Sequence, residues 1–217
     1  MRRLLLGVAV LALIIGASSA WGAEPSLIGP TGLLTVPTAE TLGLLQWDVG
    51  AANVWANGGP DTSVIYANIG LLPRFELGVS RFKAEDAEAE TLVNAKFRVV
   101  GLPGKITLAV GAFDLTDQID RSPYAVVTHD LGAGIVSPRG QFTKPQLHIG
   151  IGGGRFDSIF GGVSVTVGGK ADVMAEYDGS DVNLGVRWPL FPKVAVTAAA
   201  LDGFDDLALG ISVKSPW

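Results

Sequence analysis

From Gln46 onward the chain is a succession of short runs in which apolar and polar residues alternate, and no run after residue 23 is long enough to cross a bilayer as a helix. Its mean hydropathy of +0.38 is nonetheless that of a membrane protein. A chain this apolar has one other way through lipid. It closes its sheet into a barrel, which pairs every backbone N–H and C=O and leaves no edge.

The clearest run sets Val182, Leu184, Val186 and Trp188 on one face against Asn183, Gly185 and Arg187 on the other. Val93, Ala95, Phe97 and Val99 oppose Asn94, Lys96 and Arg98 in the same way, and Leu207, Leu209, Ile211 and Val213 oppose Gly210, Ser212 and Lys214. A soluble β-sandwich also alternates. Two details favour the barrel: the apolar faces carry almost no charge, and Trp47 and Trp55 share one face of the first run. At a 45° tilt those two rings stand roughly 19 Å apart along the membrane normal, near the spacing of aromatic girdles. The pattern therefore predicts an all-β fold, a closed antiparallel up-and-down transmembrane β-barrel of about twelve strands, with ten to fourteen compatible. The strands are expected near 46–56, 62–72, 74–83, 91–100, 105–114, 124–131, 146–153, 160–167, 171–178, 181–189, 193–201 and 206–214. The segment 132–145 is the longest connector, yet this count puts it on the periplasmic side, where turns are usually short.

Residues 1–22 read as a cleaved export signal: Arg2 and Arg3 precede an apolar core from Leu4 to Ile15 that is too short to anchor, and small residues offer cleavage after Ala20 or Gly22. Residues 23–45 form an N-terminal segment and 46–217 the barrel, placing the protein in the outer membrane. Loss of the two arginines makes the formal charge of −5 more negative still, which argues against nucleic acid as a partner. The chain has no cysteine, so no disulfide holds an exported fold and the sheet must hold itself.

Hairpin chemistry sets the lumen. With Gly179 and Ser180 as the central turn residues, Glu176 falls opposite Asn183 and Asp172 opposite Arg187; shifting the turn by one would set Glu176 against Asp181, like charge on like. The polar residues expected to face the lumen are Asp48, Glu76, Asn94, Lys96, Arg98, Asp172, Glu176, Asn183, Arg187 and Lys214. Both signs are present, which suggests an ion-paired interior more than a single-sign filter. Lys214 and Asp48 are expected to meet at the seam between the last strand and the first.

The sequence offers little chemistry. His129 and His148 read as ordinary strand residues, and no metal or cofactor is expected where there is neither cysteine nor a histidine pair. Asp172 and Glu176 stand roughly 13 Å apart on one strand face, too far for either glycosidase geometry. Gly150 to Gly154 lacks the Lys-Ser/Thr of a phosphate loop and reads as small residues where strands crowd. The segment from Ser26, SLIGPTGLLTVPTAETLGLLQ, is too short for a plug domain, yet its leucines need cover. It is expected to cap the barrel by folding into or across its periplasmic mouth.

Gly29-Pro30-Thr31-Gly32-Leu33-Leu34 followed by Pro37-Thr38-Ala39 resembles the opening motif of the YjbH-type family of outer-membrane proteins associated with exopolysaccharide. Phe160-Gly161-Gly162, Ala175-Glu176-Tyr177-Asp178-Gly179 and Asn183-Leu184-Gly185-Val186-Arg187 continue the resemblance in family-like order. It implies an outer-membrane barrel linked to polysaccharide production or export and brings no catalytic residues. Better-known members are several times longer and contain more than one such unit. Trp217 supplies the closing aromatic that barrel assembly reads, although Ser215 and Pro216 depart from the usual last strand. The sequence thus supports a non-enzymatic barrel serving exopolysaccharide export or small-solute passage. The alternatives are a closed structural barrel supporting the envelope and, more remotely, an outer-membrane hydrolase. Its expected partners are outer-membrane lipid, the barrel assembly machinery, and polysaccharide or periplasmic envelope proteins.

Overall fold

The computed structural model describes residues 23–101, 106–132, 144–168 and 170–215. Twelve strands run up and down in chain order: β1 (Trp47–Trp55), β2 (Thr62–Leu72), β3 (Phe75–Ala84), β4 (Glu90–Gly101), β5 (Ile106–Phe113), β6 (Ser122–Asp130), β7 (Lys144–Gly152), β8 (Ser158–Val167), β9 (Ala171–Tyr177), β10 (Val182–Phe191), β11 (Val194–Leu201) and β12 (Asp206–Lys214). Every neighbouring pair is antiparallel, and β1 pairs with β12 as well as β2, so the sheet closes into a barrel and the sandwich is excluded. With strands about 4.8 Å apart and tilted about 40°, the backbone cylinder is roughly 24 Å across.

Three strands, β6, β7 and β8, start two residues earlier than the alternation suggests. β6 begins before Pro123 and β7 before Pro145. Proline is tolerated at the first positions of a strand, so the ladder runs through residues that read as turn in the sequence. Pro189 sits inside β10 where the register slips against β11, the bulge absorbing the missing donor. β6 ends and β7 begins at the barrel end that also carries the start of β1 and the finish of β12, so the twelve-strand count stands and the long connector does lie at that terminal end. The expectations for the leader at 1–22 and for Trp217, and most of that connector, lie outside the described residues.

The outer surface is an apolar belt. Val49, Ile65, Val79, Phe97, Val110, Ile149, Val163, Val173, Leu184 and Leu209 are all exposed, and Trp47 and Trp55 stand on the same outward face at 41% and 46% exposure. A soluble protein does not leave such a continuous band bare. The buried residues are instead inside the cylinder, where side chains of the wall meet the N-terminal segment. Closed sheet, apolar outside and polar inside make this a barrel of the outer membrane.

Candidate functional site

Of the two placements expected for the N-terminal segment, into or across the mouth of the barrel, the structure has the first: it runs into the lumen and occupies it. Nearly every residue from Glu24 to Leu42 is buried, including Leu34 and Val36 at 0% exposure. The segment is short for a plug domain, but a lumen narrowed on all sides by wall side chains needs only one folded-back strip of chain. Two isolated bridges, Pro25 with Thr31 and Gly32 with Pro37, give the strip its folds.

The wall grips the strip largely by its backbone. Glu176 on β9 accepts the N–H groups of Leu34 and Thr35, each at 2.9 Å, and the Thr35 hydroxyl at 2.6 Å. Arg187 on β10 donates through Nη2 to the carbonyls of Pro25 (2.9 Å), Gly32 (3.2 Å) and Leu33 (2.7 Å). Across the lumen, Glu76 on β3 accepts the Thr31 N–H at 3.0 Å and the Leu42 N–H at 2.9 Å. Lys96 on β4 donates to the Thr31 carbonyl at 2.6 Å and to the Thr31 hydroxyl, and its Nζ lies 3.9 Å from Glu76. Thr128 Oγ1 accepts the Ala39 N–H, Ser80 donates to the Ile28 carbonyl, and Asn68 donates to that of Gly29. At the terminal end Lys214 pairs with Glu24.

The remaining expected lumen residues complete the wall. Asn94 donates to Ser80 and accepts the Asp114 N–H. Asn183 donates to Glu176 and to Asp178, and accepts the Asp202 N–H. Asp172 accepts the Thr166 hydroxyl at 2.6 Å, and Arg98 is half-buried toward the terminal end. The two registers expected from the sequence are found: Glu176 faces Asn183 and Asp172 faces Arg187 in backbone pairing, and Asp48 faces Lys214. The side chains do something else. Arg187 and Lys214 turn to the inserted segment, and Asp48 accepts from Asn68 at 2.6 Å, so beside the cross-strand ion pair of Glu76 and Lys96 the interior is organised around the segment.

Sequence reasoning did not single out Glu24, Thr31, Thr35, Asn68, Ser80 or Thr128. The three wall residues among them were accessible in principle, since each lies on the inward parity of its strand. His148 is buried between Thr128 and Ser164, at 2.9 and 3.2 Å.

Toward the far end the lumen turns aromatic. Phe82, Phe113, Phe156, Tyr124 and Phe160 pack mostly edge to face, with centroids 5.1 to 6.5 Å apart, and the Arg155 guanidinium lies 5.0 Å over the Phe113 ring. Gly150 is where the ring of Phe160 lies, for a Cβ there would come within 2.1 Å of it. Above the segment a cavity of about 310 Å³ opens to the far end, lined by Ile28, Thr35, Phe82, Arg155, Asn183 and Asp202. Its rim is acidic: repulsion from Asp181, with burial and Asp206 adding to it, holds the Asp202 carboxyl above its ordinary value.

No protein-family model matches the chain, and no curated protein matches it. Among solved structures, the barrel is similar to that of the KdgM porin, with a TM-score of 0.55 at 9% identity over 78% of this chain and 99% of that one. The fold is shared with that porin. Outer membrane protein Omp33 of Acinetobacter baumannii (TM-score 0.46, 11% identity, 81% and 100% covered) and the NanC porin (0.44, 10%, 78% and 100%) also match.

Proposed function

We propose that this chain is a non-enzymatic outer-membrane barrel for small-solute passage, held shut by its own residues 24–42. The observation that carries this reading is the nature of the closure: the wall holds the segment by polar groups on its main chain. Were the segment withdrawn, Asp48, Glu76, Lys96, Glu176 and Arg187 would face water, which solvates charge readily, so an emptied lumen is a wet channel and not a collapsed core. The KdgM likeness supports a solute-passing barrel at the level of fold. The YjbH-like opening motif supports a setting in exopolysaccharide production, and its Thr31 and Leu34 are residues that the wall grips.

Planar-bilayer recordings test the reading. The full chain should be nearly silent, and deletion of residues 24–44 should give stable conductance steps. The grip on the segment also favours a second reading, a permanently closed envelope scaffold. A deletion variant that still shifts on a detergent gel upon boiling, yet does not conduct, would establish that alternative and end the channel reading.

A further inference from the structure

We propose that the lumen is a peptide-binding site and that residues 24–42 are its exchangeable resident ligand. The proposal rests on the reading of that segment as a displaceable closure. Three features make the wall a receptor.

First, it has sockets. Leu27, Leu33 and Leu34 lie against Gly210, Gly162 and Gly185, where an added Cβ would come within 2.6, 2.6 and 2.5 Å of the leucine methyls. Each of these glycines stands on the inward face of a different strand; at Gly210 and Gly185 a leucine methyl is the nearest atom, and at Gly162 the leucine shares that place with the Ala175 carbonyl oxygen at 2.5 Å.

Second, the charged groups read the backbone in order. Arg187 takes successive carbonyls at Gly32 and Leu33, and Glu176 takes successive N–H groups at Leu34 and Thr35. Cation on carbonyls followed by carboxylate on amides fixes the direction of the bound chain as well as its position. Thr31 is read from two sides, by Glu76 at its N–H and hydroxyl and by Lys96 at its carbonyl and hydroxyl.

Third, the covalent link is exposed and contributes no strand. Leu44 and Leu45 are 53% and 64% exposed, and Leu45 holds a φ of 60°, a conformation that a non-glycine residue adopts at a cost. The barrel ladder from β1 to β12 closes without residues 23–45. The ligand class is therefore a polypeptide folded back on itself, with a Gly-Pro-Thr-Gly turn followed by Leu-Leu-Thr, and the occupant the geometry specifies is this chain's own segment, including a second copy supplied in trans.

The test keeps the full chain. A protease site replacing Leu44-Leu45 allows the folded barrel to be cut in detergent, after which the freed fragment should co-purify with it. Once a mild denaturant wash has removed the fragment, a fluorescein-labelled synthetic peptide of residues 24–42 should rebind saturably, as read by anisotropy. Unlabelled peptide should compete and a scrambled peptide should not. Gly210→Ala adds a methyl that meets Leu27 at 2.6 Å but other atoms no closer than 3.4 Å, so it fills a socket and spares the sheet. It should weaken rebinding about tenfold or more, and Arg187→Met, the second variant, by at least as much.

Departure of the fragment on cutting, equal competition by the scrambled peptide, or unchanged rebinding to both variants overturns the proposal. Rebinding to a washed barrel that does not conduct overturns the channel reading and leaves the peptide site standing. Conductance without rebinding does the reverse.

Discussion

Glu176→Gln is the sharpest probe of how the segment is held. One carboxylate oxygen accepts the Thr35 N–H at 2.9 Å, the Thr35 hydroxyl at 2.6 Å and Asn183 Nδ2 at 3.1 Å; the other accepts the Leu34 N–H at 2.9 Å. Glutamine keeps only one of these oxygens. With its oxygen placed toward Thr35 and Asn183, its NH2 group meets the Leu34 N–H donor to donor. Orphaning a buried N–H costs about 1–3 kcal/mol, and the surviving bonds lose the charge assistance that roughly doubles their strength. Together these come to about 3 kcal/mol against the docked segment, or roughly 150-fold in its opening equilibrium. Hydrogen exchange reads that equilibrium directly. The amides of Leu34 and Thr35 should exchange about a hundredfold faster in the variant, while β10 amides such as Val186 keep their protection. Unchanged protection at Leu34 would show that the carboxylate does not hold the segment. A parallel rise across β10 would show that segment and barrel open as one unit, which would refute the separation of plug from wall.

Lys96→Met leaves Glu76 buried without its cation and should destabilise the barrel by about 3–5 kcal/mol in denaturant titrations followed by the boiling-dependent gel shift. Adding Glu76→Gln should recover part of that loss, and a single-variant loss below about 1 kcal/mol would contradict the pairing. In the loop after β5, burial is the largest influence on Asp114 and raises its carboxyl. The N–H groups of Ile119, Gln118 and Asp120 with the Thr116 hydroxyl together outweigh it and hold the group below its ordinary value. A depressed carboxylate stabilises the folded loop above about pH 4, and that contribution fades as the pH falls below it. Pepsin nicking between residues 115 and 120 should therefore rise as the pH drops through that range; a flat profile would contradict the assignment. Trp47 and Trp55 fluorescence should be quenched more by lipids brominated near the headgroup than by lipids brominated at the chain ends, and the opposite order would remove both rings from the girdles.

The fold was legible because β-barrel strands repeat one simple rule. Parity alone placed Asn94 and Lys96 inward and Phe97 outward, and the turn chemistry of Gly179-Ser180 was enough to set Glu176 against Asn183. What parity could not reveal is where an inward side chain ends. Arg187 and Asp172 are backbone partners, yet the guanidinium reaches carbonyls more than 150 residues away in sequence, and nothing in the local pattern of β10 encodes that choice. The inserted segment was hidden for the same reason. Its periodicity is neither helical nor strand-like, because its backbone is satisfied partly by irregular bonds within the segment, such as Leu27 N–H to the Leu34 carbonyl and Leu33 N–H to that of Val36, and partly by wall side chains. The glycines were the overlooked clue: alternation puts Gly185 and Gly210 on the polar faces of their strands without giving a reason for glycine there, and the reason is seen when Leu34 and Leu27 lie against them, as Leu33 lies against Gly162.

The energetics explain why such a segment can be both well placed and removable. Ordering residues 24–42 costs on the order of 30 kcal/mol at about 1.5 kcal/mol each. The wall bonds, at about 1.5 kcal/mol each, and burial of Leu27, Ile28, Leu33, Leu34, Val36 and Leu42, at about 2 kcal/mol each, offset it by a similar amount. The fit is also imperfect: Asp48 Oδ2, Asn68 Oδ1, Thr41 Oγ1 and Arg187 Nε are buried without a hydrogen-bond partner, each a cost that water in an emptied lumen would relieve. The two sides nearly cancel, so the docked state is within reach of one substitution or one competing ligand. Aliphatic side chains in place of these charges would orphan the buried N–H and C=O groups of the segment, so the charges are matched to this occupant. That the wall keeps them, with Arg187 and Glu176 on opposite ends of the Leu33–Leu34 peptide group, is the physical argument for an interior that holds one segment and takes up water when it leaves.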